Sequence, residues 1–261
     1  MYTLHKSAYK QAYQHYLCHA AFFPLVAAVL CDAQDGVVYV DNPRYPTAYY
    51  VEHVFGFAQI FGIENELFYQ QLYEYLFVTK TFVPAKIRLY TPNEMPFLAD
   101  TTFDSIRAFR QRFVLQTTPE NHSASYTHTH DSLVCVKGLL DTEIDEVDRV
   151  FGVVQRFWRT PADFMIHAHA RVVWYEQSPV AICYAAAVAN HQAEVDVATH
   201  PNYRQRGFAR MAVGDFITEC RTVALHPVWD CFTNNLGSMN LSRKSGFVAE
   251  RSIYAFYTIA R

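Results

Sequence analysis

The sequence predicts an α/β (α+β) protein built from two fused halves, each a mixed sheet flanked by helices. Its 261 residues exceed the roughly 100 to 150 residues at which single domains cluster, so two domains are expected. Short apolar runs bounded by Gly, Pro and Asn alternate with amphipathic stretches of helical period, which is typical of mixed strands and helices. With 51% hydrophobic and 18% charged residues, the composition supports a large core and argues against extended disorder.

Helix and strand patterns alternate in the first half. Two helices are predicted near its start, and the second begins at Pro24, whose fixed φ angle suits the first helical turn. Strand patterns follow at residues 36–41, at 48–62 with one interruption, and at 86–90. A helix capped by Asn65 lies between the last two. These strands surround a helix in an order similar to that of the second half, so we expect one fold to occur twice.

The boundary between the halves is predicted in a polar stretch around residues 118–140, between strand patterns at 112–117 and 133–136. We therefore expect one domain over residues 1–130 and another over residues 131–261. The polar stretch contains three histidines, His122, His128 and His130. Two histidines separated by one residue face the same way only on a strand, and no cysteine or carboxylate pattern completes a recognisable site. No metal ion is expected.

The second half begins with a predicted helix over residues 144–157, whose apolar positions keep to one face at helical spacing. A hairpin follows, with strands at 171–175 and 180–188 about a turn at 177–179. The remaining predicted elements are a strand at 194–199, an amphipathic helix beyond residue 207, a strand at 228–232, a short helix opened by Asn235 and a last pair of strands over 248–259.

Charge and hydropathy argue against several classes of protein. The chain has 22 Lys and Arg residues and 25 Asp and Glu residues, and it contains no polybasic tract that could neutralise a phosphate backbone. Nucleic acid is therefore not an expected partner. The longest apolar stretch, residues 20–31, contains Pro24 and is shorter than the roughly 20 residues that span a bilayer, so no membrane segment is expected. The six cysteines lack any C-x-x-C spacing and are interpreted as reduced core residues. No signal-peptide pattern is found at the start, so we expect the protein in the cytoplasm. We expect it to be a monomer or a homodimer.

The most informative segment is a strand, a tight turn and an amphipathic helix at residues 195–220. A turn rich in Arg and Gly that ends at a helix N-terminus exposes unpaired backbone amides at the positive end of the helix dipole. Gly207 lets the backbone approach an anion without an intervening Cβ, and the small Ala209 allows similar closeness. The turn is thus predicted to hold a pyrophosphate. An ordinary strand-to-helix turn with exposed arginines is the alternative.

Two motifs in this half resemble those of the GNAT superfamily of acyl-coenzyme A-dependent N-acyltransferases. Arg204-x-x-Gly207-x-Ala209 matches the Q/R-x-x-G-x-G/A pyrophosphate loop, and Asn235-x-x-Ser238-x-x-Leu241 before Lys244-x-Gly246-Phe247 matches the second cofactor segment. Residues 23–25, 39–43, 55–62 and 227–231 look like a bacterial two-part subfamily that includes zwittermicin-resistance-type acetyltransferases. In that subfamily the first half resembles a degenerate GNAT domain, and this sequence has no pyrophosphate-loop motif before residue 140.

The resemblance implies acetyl-CoA as the cofactor. Its pyrophosphate would be held by the backbone amides of Arg204, Gln205, Arg206, Gly207, Phe208 and Ala209. Its pantetheine arm would pair with Val197, Ala198 and Thr199, with Asn235 and Ser238 beside it. The family also implies a splay between the strand ending at residue 199 and the strand at 228–232, which makes room for that arm.

Catalysis by such a protein needs a base for the amine and an acid for the departing thiolate. Glu194 and Asp196 alternate with valines on the strand before the loop, so both can face one side, and Glu194 is favoured for its reach. A surface or salt-bridged pair is the alternative. Many members carry a Tyr acid where this chain has Ser242, which leaves Tyr254 and Tyr257 as substitutes or as aromatic packing.

The function expected from this resemblance is direct transfer of an acetyl group to a primary amine of a small molecule. The net charge of -3 favours a cationic acceptor, of polyamine, aminoglycoside or amino-acid type. We expect it to bind on the side roofed by the first half, since domain interfaces commonly form clefts. The alternatives are a regulatory module that binds acyl-CoA without catalysis, as Ser242 suggests, and a protein or aminoacyl-tRNA acetyltransferase.

Overall fold

The computed structural model of the chain describes residues 1–18, 21–93, 95–116 and 133–261. The strands are β1 (Tyr2–Thr3), β2 (Gly36–Val40), β3 (Ala48–His53), β4 (Phe57–Gly62), β5 (Lys86–Thr91), β6 (Arg107–Leu115), β7 (Val134–Gly138), β8 (Arg171–Tyr175), β9 (Ser178–Ala189), β10 (Gln192–Thr199), β11 (His226–Phe232), β12 (Phe247–Ala249) and β13 (Tyr254–Ala260). The helices are α1 (Tyr9–Leu17), α2 (Pro24–Leu30), α3 (Glu66–Tyr73), α4 (Ile144–Phe151), α5 (Val154–Phe157), α6 (Pro161–His167), α7 (Phe208–Thr222) and α8 (Leu236–Lys244).

The chain divides into two compact units. The first consists of residues Met1–Arg110 and Ile253–Arg261, and the second of Gln111–Ser252. The domain boundary expected at residues 130/131 lies outside the described residues, as does the histidine cluster at 122–130. The last strand, β13, belongs to the first unit, where it pairs antiparallel with β5.

The first unit is a mixed sheet with helices on both faces. Its strands follow the order β1-β2-β3-β4-β5-β13-β6, with β6 contributing residues 107–110, and only the β4–β5 ladder among them is parallel. Every residue of β3 is buried. Tyr50 packs in one core cluster with Phe68 of α3, whereas Tyr49 stacks on Phe61, which contacts Tyr16 of α1. Alternate side chains of β3 thus meet helices on opposite faces of the sheet.

The second unit repeats this plan. Its strands follow the order β7-β8-β9-β10-β11-β6, with β12 also paired to β6, and β10–β11 is the parallel ladder. Val213 and Phe216 of α7 pack with Val195 of β10 in the core. The indole N–H of Trp158, which follows α5, donates to the carbonyl of Ala185 on β9 at 3.0 Å. Both units therefore run from an edge strand through helices into three antiparallel strands, a helix and a parallel strand, which confirms the predicted fold class.

Three local expectations were wrong. The predicted helix over residues 144–157 is broken at Gly152, whose left-handed φ of 60° ends α4. The hairpin turn lies at Glu176 and Gln177, both with positive φ, as the tight turns that match strand twist require, so Pro179 lies inside β9. All six cysteines are free, yet Cys18, Cys31 and Cys135 are exposed and are not core residues.

Within residues 1–18, 21–93, 95–116 and 133–261, no helix combines the length and apolar character needed to cross a membrane. The same residues contain no cluster of three or more His, Cys, Asp or Glu side chains suited to a metal ion.

Candidate active site

The ladder between β10 and β11 opens part of the way along the two strands. Paired positions run from Gln192↔His226 to Glu194↔Val228. Beyond them, β10 continues to Thr199 and β11 to Phe232. The opening follows a register shift in the pairing of β10 with β9 between Glu194 and Val195, whose partners are Ala187 and Ala185. Such an irregularity bends the paired strands locally. The part of β10 beyond residue 194 thus has an edge that is not paired with β11, and a ligand can bind along this edge.

Helix α7 begins beside the end of β10 with its first turn uncapped. Gly207 occupies the N-cap with φ 87°, and no side chain of the described residues caps this end. A Cβ added to Gly207 would meet none of the described atoms within 4 Å. The preceding residues Arg204, Gln205 and Arg206 are exposed. Unpaired amides at the start of a 15-residue helix, with cationic side chains nearby, form a site suited to an anion.

The corresponding helix of the first unit has a closed N-terminus. Asn65 caps α3, its Oδ1 accepting the Phe68 N–H at 3.0 Å, and Glu66 adds a negative charge in the first turn. The cavity lined by Gly62 and Glu64 near this end has a volume of only about 80 Å³. A carboxylate and an occupied cap disfavour an anion, so the two repeats differ at the position that matters for a phosphate ligand.

The open edge of β10 presents specific backbone groups. The His200 N–H donates to the carbonyl of Val180 on β9 at 2.9 Å. Because the hydrogen-bonding direction alternates along a strand, the groups of Val197 and Thr199 point to the opposite, open edge, whereas those of Ala198 belong to the β9 ladder. The Val197 N–H contacts Asp196 Oδ1 at 3.0 Å. Of the three residues expected to pair with a pantetheine arm, two have backbone groups directed toward the opening.

The second predicted cofactor segment forms the start of α8. Asn235 caps this helix, its Oδ1 accepting the Ser238 N–H at 3.1 Å. Ser238 Oγ accepts the indole N–H of Trp229 at 2.9 Å. Both side chains therefore support α8 and β11 directly. Ser242 is fully buried, and its hydroxyl donates to the carbonyl of Met239 at 3.0 Å, which makes it an unsuitable acid for a leaving group.

Glu194 is held in a buried ion network. Its Oε2 lies 3.2 Å from Nη2 of Arg112, a side chain of β6 that is 1% exposed. The Nε atom of Arg112 contacts Asp230 of β11 at 3.0 Å. Arg112 thus connects the strands on either side of the opening, next to the last paired position of the β10–β11 ladder.

Asp196 lies two residues further along β10, with its side chain 31% exposed. Its Oδ2 accepts the Tyr184 hydroxyl at 2.5 Å and a guanidinium N–H of Arg156 at 3.4 Å. Burial and the neighbouring Asp196 raise the pKa of the Tyr184 hydroxyl well above its usual value. Tyr184 therefore keeps its proton and acts as a donor to this carboxylate.

The two tyrosines named as substitutes for the missing acid lie in the first unit. Tyr254 packs against Phe23 and Tyr90, with ring centroids 5.7 and 6.4 Å away. Tyr257 donates its hydroxyl proton to the carbonyl of Leu98 at 3.4 Å. Both line a cavity of about 510 Å³ in that unit.

Three residues of the site were not found from the sequence: Arg112, Arg156 and Tyr184. A charged residue at the head of an apolar strand pattern was the only signal available for Arg112. Tyr184 lies inside an apolar run and Arg156 between helix positions, where nothing local distinguishes them from ordinary core and surface residues.

Comparisons with known proteins agree with one another. A profile described as GNAT acetyltransferase matches residues 17–257. The uncharacterized N-acetyltransferase YdfB of Bacillus subtilis (strain 168) is 22% identical over 241 residues, which cover 88% of each chain.

Solved structures resemble the whole chain. A GCN5-related N-acetyltransferase-like protein from Streptococcus suis 89/1591 has a TM-score of 0.73 at 16% identity, covering 98% of this chain and 100% of that one. A GNAT-family acetyltransferase from Colwellia psychrerythraea has a TM-score of 0.58 at 8% identity, covering 100% of this chain and 99% of that one. At these identities the likeness shows a shared fold.

Proposed function

The chain belongs to the GNAT acetyltransferase family, and from this membership we propose that it transfers an acetyl group from acetyl-CoA directly to a primary amine of a small molecule. The observation that carries the proposal is the opened β10–β11 ladder beside the uncapped start of α7. A long, narrow ligand with a pyrophosphate fits a cleft that has backbone partners at one edge and unpaired amides at its end.

The residues present fit this cofactor. Amides from Arg204 to Ala209 would hold the pyrophosphate, with the Phe208 ring buried and its N–H in the first turn. Backbone groups of β10 at Val197 and Thr199 would pair with the pantetheine arm, beside Asn235. When bound, acetyl-CoA supplies an acyl group already activated as a thioester, so no nucleophilic side chain is required.

The protein's own chemistry concerns protons and positions. An alkylammonium acceptor, with a pKa near roughly 10, must lose a proton before its nitrogen can attack. The carboxylates of β10, Glu194 and Asp196, are the proposed proton acceptors, acting through water. Tyr254 is the proposed donor to the departing thiolate, because Ser242, at the position where many family members carry a tyrosine acid, is buried.

Charge supports a cationic small-molecule acceptor. The formal net charge is -3, which attracts amines and disfavours nucleic acids. We propose that the protein acts in the cytoplasm as a monomer or homodimer. The six free cysteines support the first of these proposals.

A turnover assay tests this function. Purified protein, acetyl-CoA and panels of polyamines, aminoglycosides and amino-acid amines are expected to release free thiol only when an amine is present. Mass spectrometry should then detect that amine with the added mass of one acetyl group. The control is acetyl-CoA with protein and no amine.

Two results would point to other functions. Tight acetyl-CoA binding without thiol release for any amine would indicate the regulatory module, which the buried Ser242 favours. Retention of tRNA that weakens steeply with salt would instead favour transfer to or from aminoacyl-tRNA.

A further inference from the structure

We propose that Asp196 is the carboxylate that takes the amine's proton, and that Tyr184 and Arg156 are positioning residues that hold it for this purpose. The inference rests on the proposed function and refines it, because it separates two carboxylates that the strand pattern leaves equivalent. Glu194 then has a structural role in the network around Arg112.

Exposure separates the two carboxylates. The Glu194 side chain is 6% exposed and contacts Arg112, which also contacts Asp230. Proton transfer to Glu194 would disrupt a charge pair inside the protein, which is unfavourable. The Asp196 side chain is 31% exposed, so a proton it accepts can pass on to solvent.

The donors to Asp196 are themselves anchored. Tyr184 is buried, lies directly across from Asp196 in the β9–β10 ladder, and packs against Phe164 with ring centroids 5.4 Å apart. The Nη2 atom of Arg156 donates to the carbonyls of Phe151 and Gly152 at 3.4 and 3.3 Å. Each donor thus has contacts besides its bond to Asp196, and together the two bonds fix the direction of the carboxylate. Burial, with Cys220 and Asp196 nearby, raises the pKa of the Cys183 thiol on β9 well above its usual value, so this neighbour of Asp196 stays neutral.

The proton transfer is balanced without a further reactant. One N–H bond of the ammonium breaks, and its proton passes through water to the Asp196 carboxylate. The electron pair stays on nitrogen, which becomes the neutral nucleophile. Tyr184 and Arg156 keep their protons throughout, since burial beside a carboxylate raises the pKa of the tyrosine and an arginine stays charged. The protonated Asp196 returns its proton to solvent between turnovers.

The test compares kcat with KM for the amine in Tyr184→Phe. This change keeps the ring and removes the hydroxyl donor that fixes the direction of the Asp196 carboxylate. We expect kcat to fall by about 10-fold, because a misdirected base accepts the proton less efficiently, while KM for the amine and Kd for acetyl-CoA stay unchanged. Arg156→Gln, at a side chain 33% exposed, should lower kcat in the same way, and Arg156→Lys less.

The matched control is Tyr50→Phe in the first unit. Tyr50 is also fully buried and donates to a carboxylate, that of Glu52, at 3.1 Å. It should reproduce the loss of a buried hydrogen bond with no change in kcat. Equal kcat values for the wild type, Tyr184→Phe and Arg156→Gln, with thiol release intact, would overturn this inference alone. Wild-type protein that releases no thiol with any amine at any pH would overturn the proposed function and this inference with it.

Discussion

Glu194 and Asp196 lie two residues apart on β10, but their carboxylates differ in burial and in bonding partners. The sequence predicts their strand and their common face, because side chains alternate along β structure. It cannot supply their partners, since Arg112 is 82 residues from Glu194 and Arg156 is 40 residues from Asp196. Burial by other strands and helices thus assigns different chemistry to two residues that look alike in the sequence.

Amide substitutions should separate stability from turnover at these positions. Glu194→Gln removes the negative charge that pairs with the buried Arg112 and should lower the free energy of unfolding by about 1 to 3 kcal/mol. Asp196→Asn should change that free energy by less than about 1 kcal/mol but reduce amine-dependent kcat by about 100-fold. Denaturant unfolding and steady-state kinetics measure the two effects. Full activity in both variants would remove β10 carboxylates from the mechanism.

At the scale of elements, the starts of helices can be predicted from the sequence where the residues that set them act locally. Pro24 begins α2, Asn65 caps α3 and Gly207 precedes α7, because each acts through its own backbone or the next turn. The prediction of one helix over residues 144–157 was wrong, because it depended on a periodic pattern and not on a local signal at the helix end. Its apolar period continues past Gly152, although the backbone there turns left-handed, and periodicity alone does not report that turn.

The two asparagine caps provide a matched test of which helix start belongs to the site. Asn65 and Asn235 make equivalent cap hydrogen bonds, at 3.0 and 3.1 Å, so each change to Ala should lower the free energy of unfolding by about 1 kcal/mol. Only Asn235→Ala should also raise the Kd for acetyl-CoA, because α8 borders the opened ladder. Calorimetric titration of both variants decides. An equal affinity in the two variants would place the pantetheine arm away from α8.

At the scale of the whole chain, the same order of strands and helices occurs in both units, but of the two corresponding helices described, only α7 in the second unit has an uncapped start suited to a pyrophosphate. The repeat could be predicted from strand and helix order, and the lack of a second pyrophosphate loop from the motif search before residue 140. The placement of β13 in the first unit could not, because a strand pattern does not specify its neighbour. We therefore expect one acyl-donor site per chain, in the unit that contains α7.

The most direct test of this claim is calorimetric titration of the intact chain with acetyl-CoA, in the wild type, Gly207→Gln and Gly152→Gln. Both glycines have positive φ, and a Cβ at either would meet none of the described atoms within 4 Å, so each change alters a left-handed backbone position without a steric clash. Only Gly207 begins the helix proposed to hold the pyrophosphate. We predict one acetyl-CoA per chain, with affinity lost in Gly207→Gln and kept in Gly152→Gln. Two acetyl-CoA molecules per chain, or unchanged affinity in a folded Gly207→Gln variant, would contradict the account.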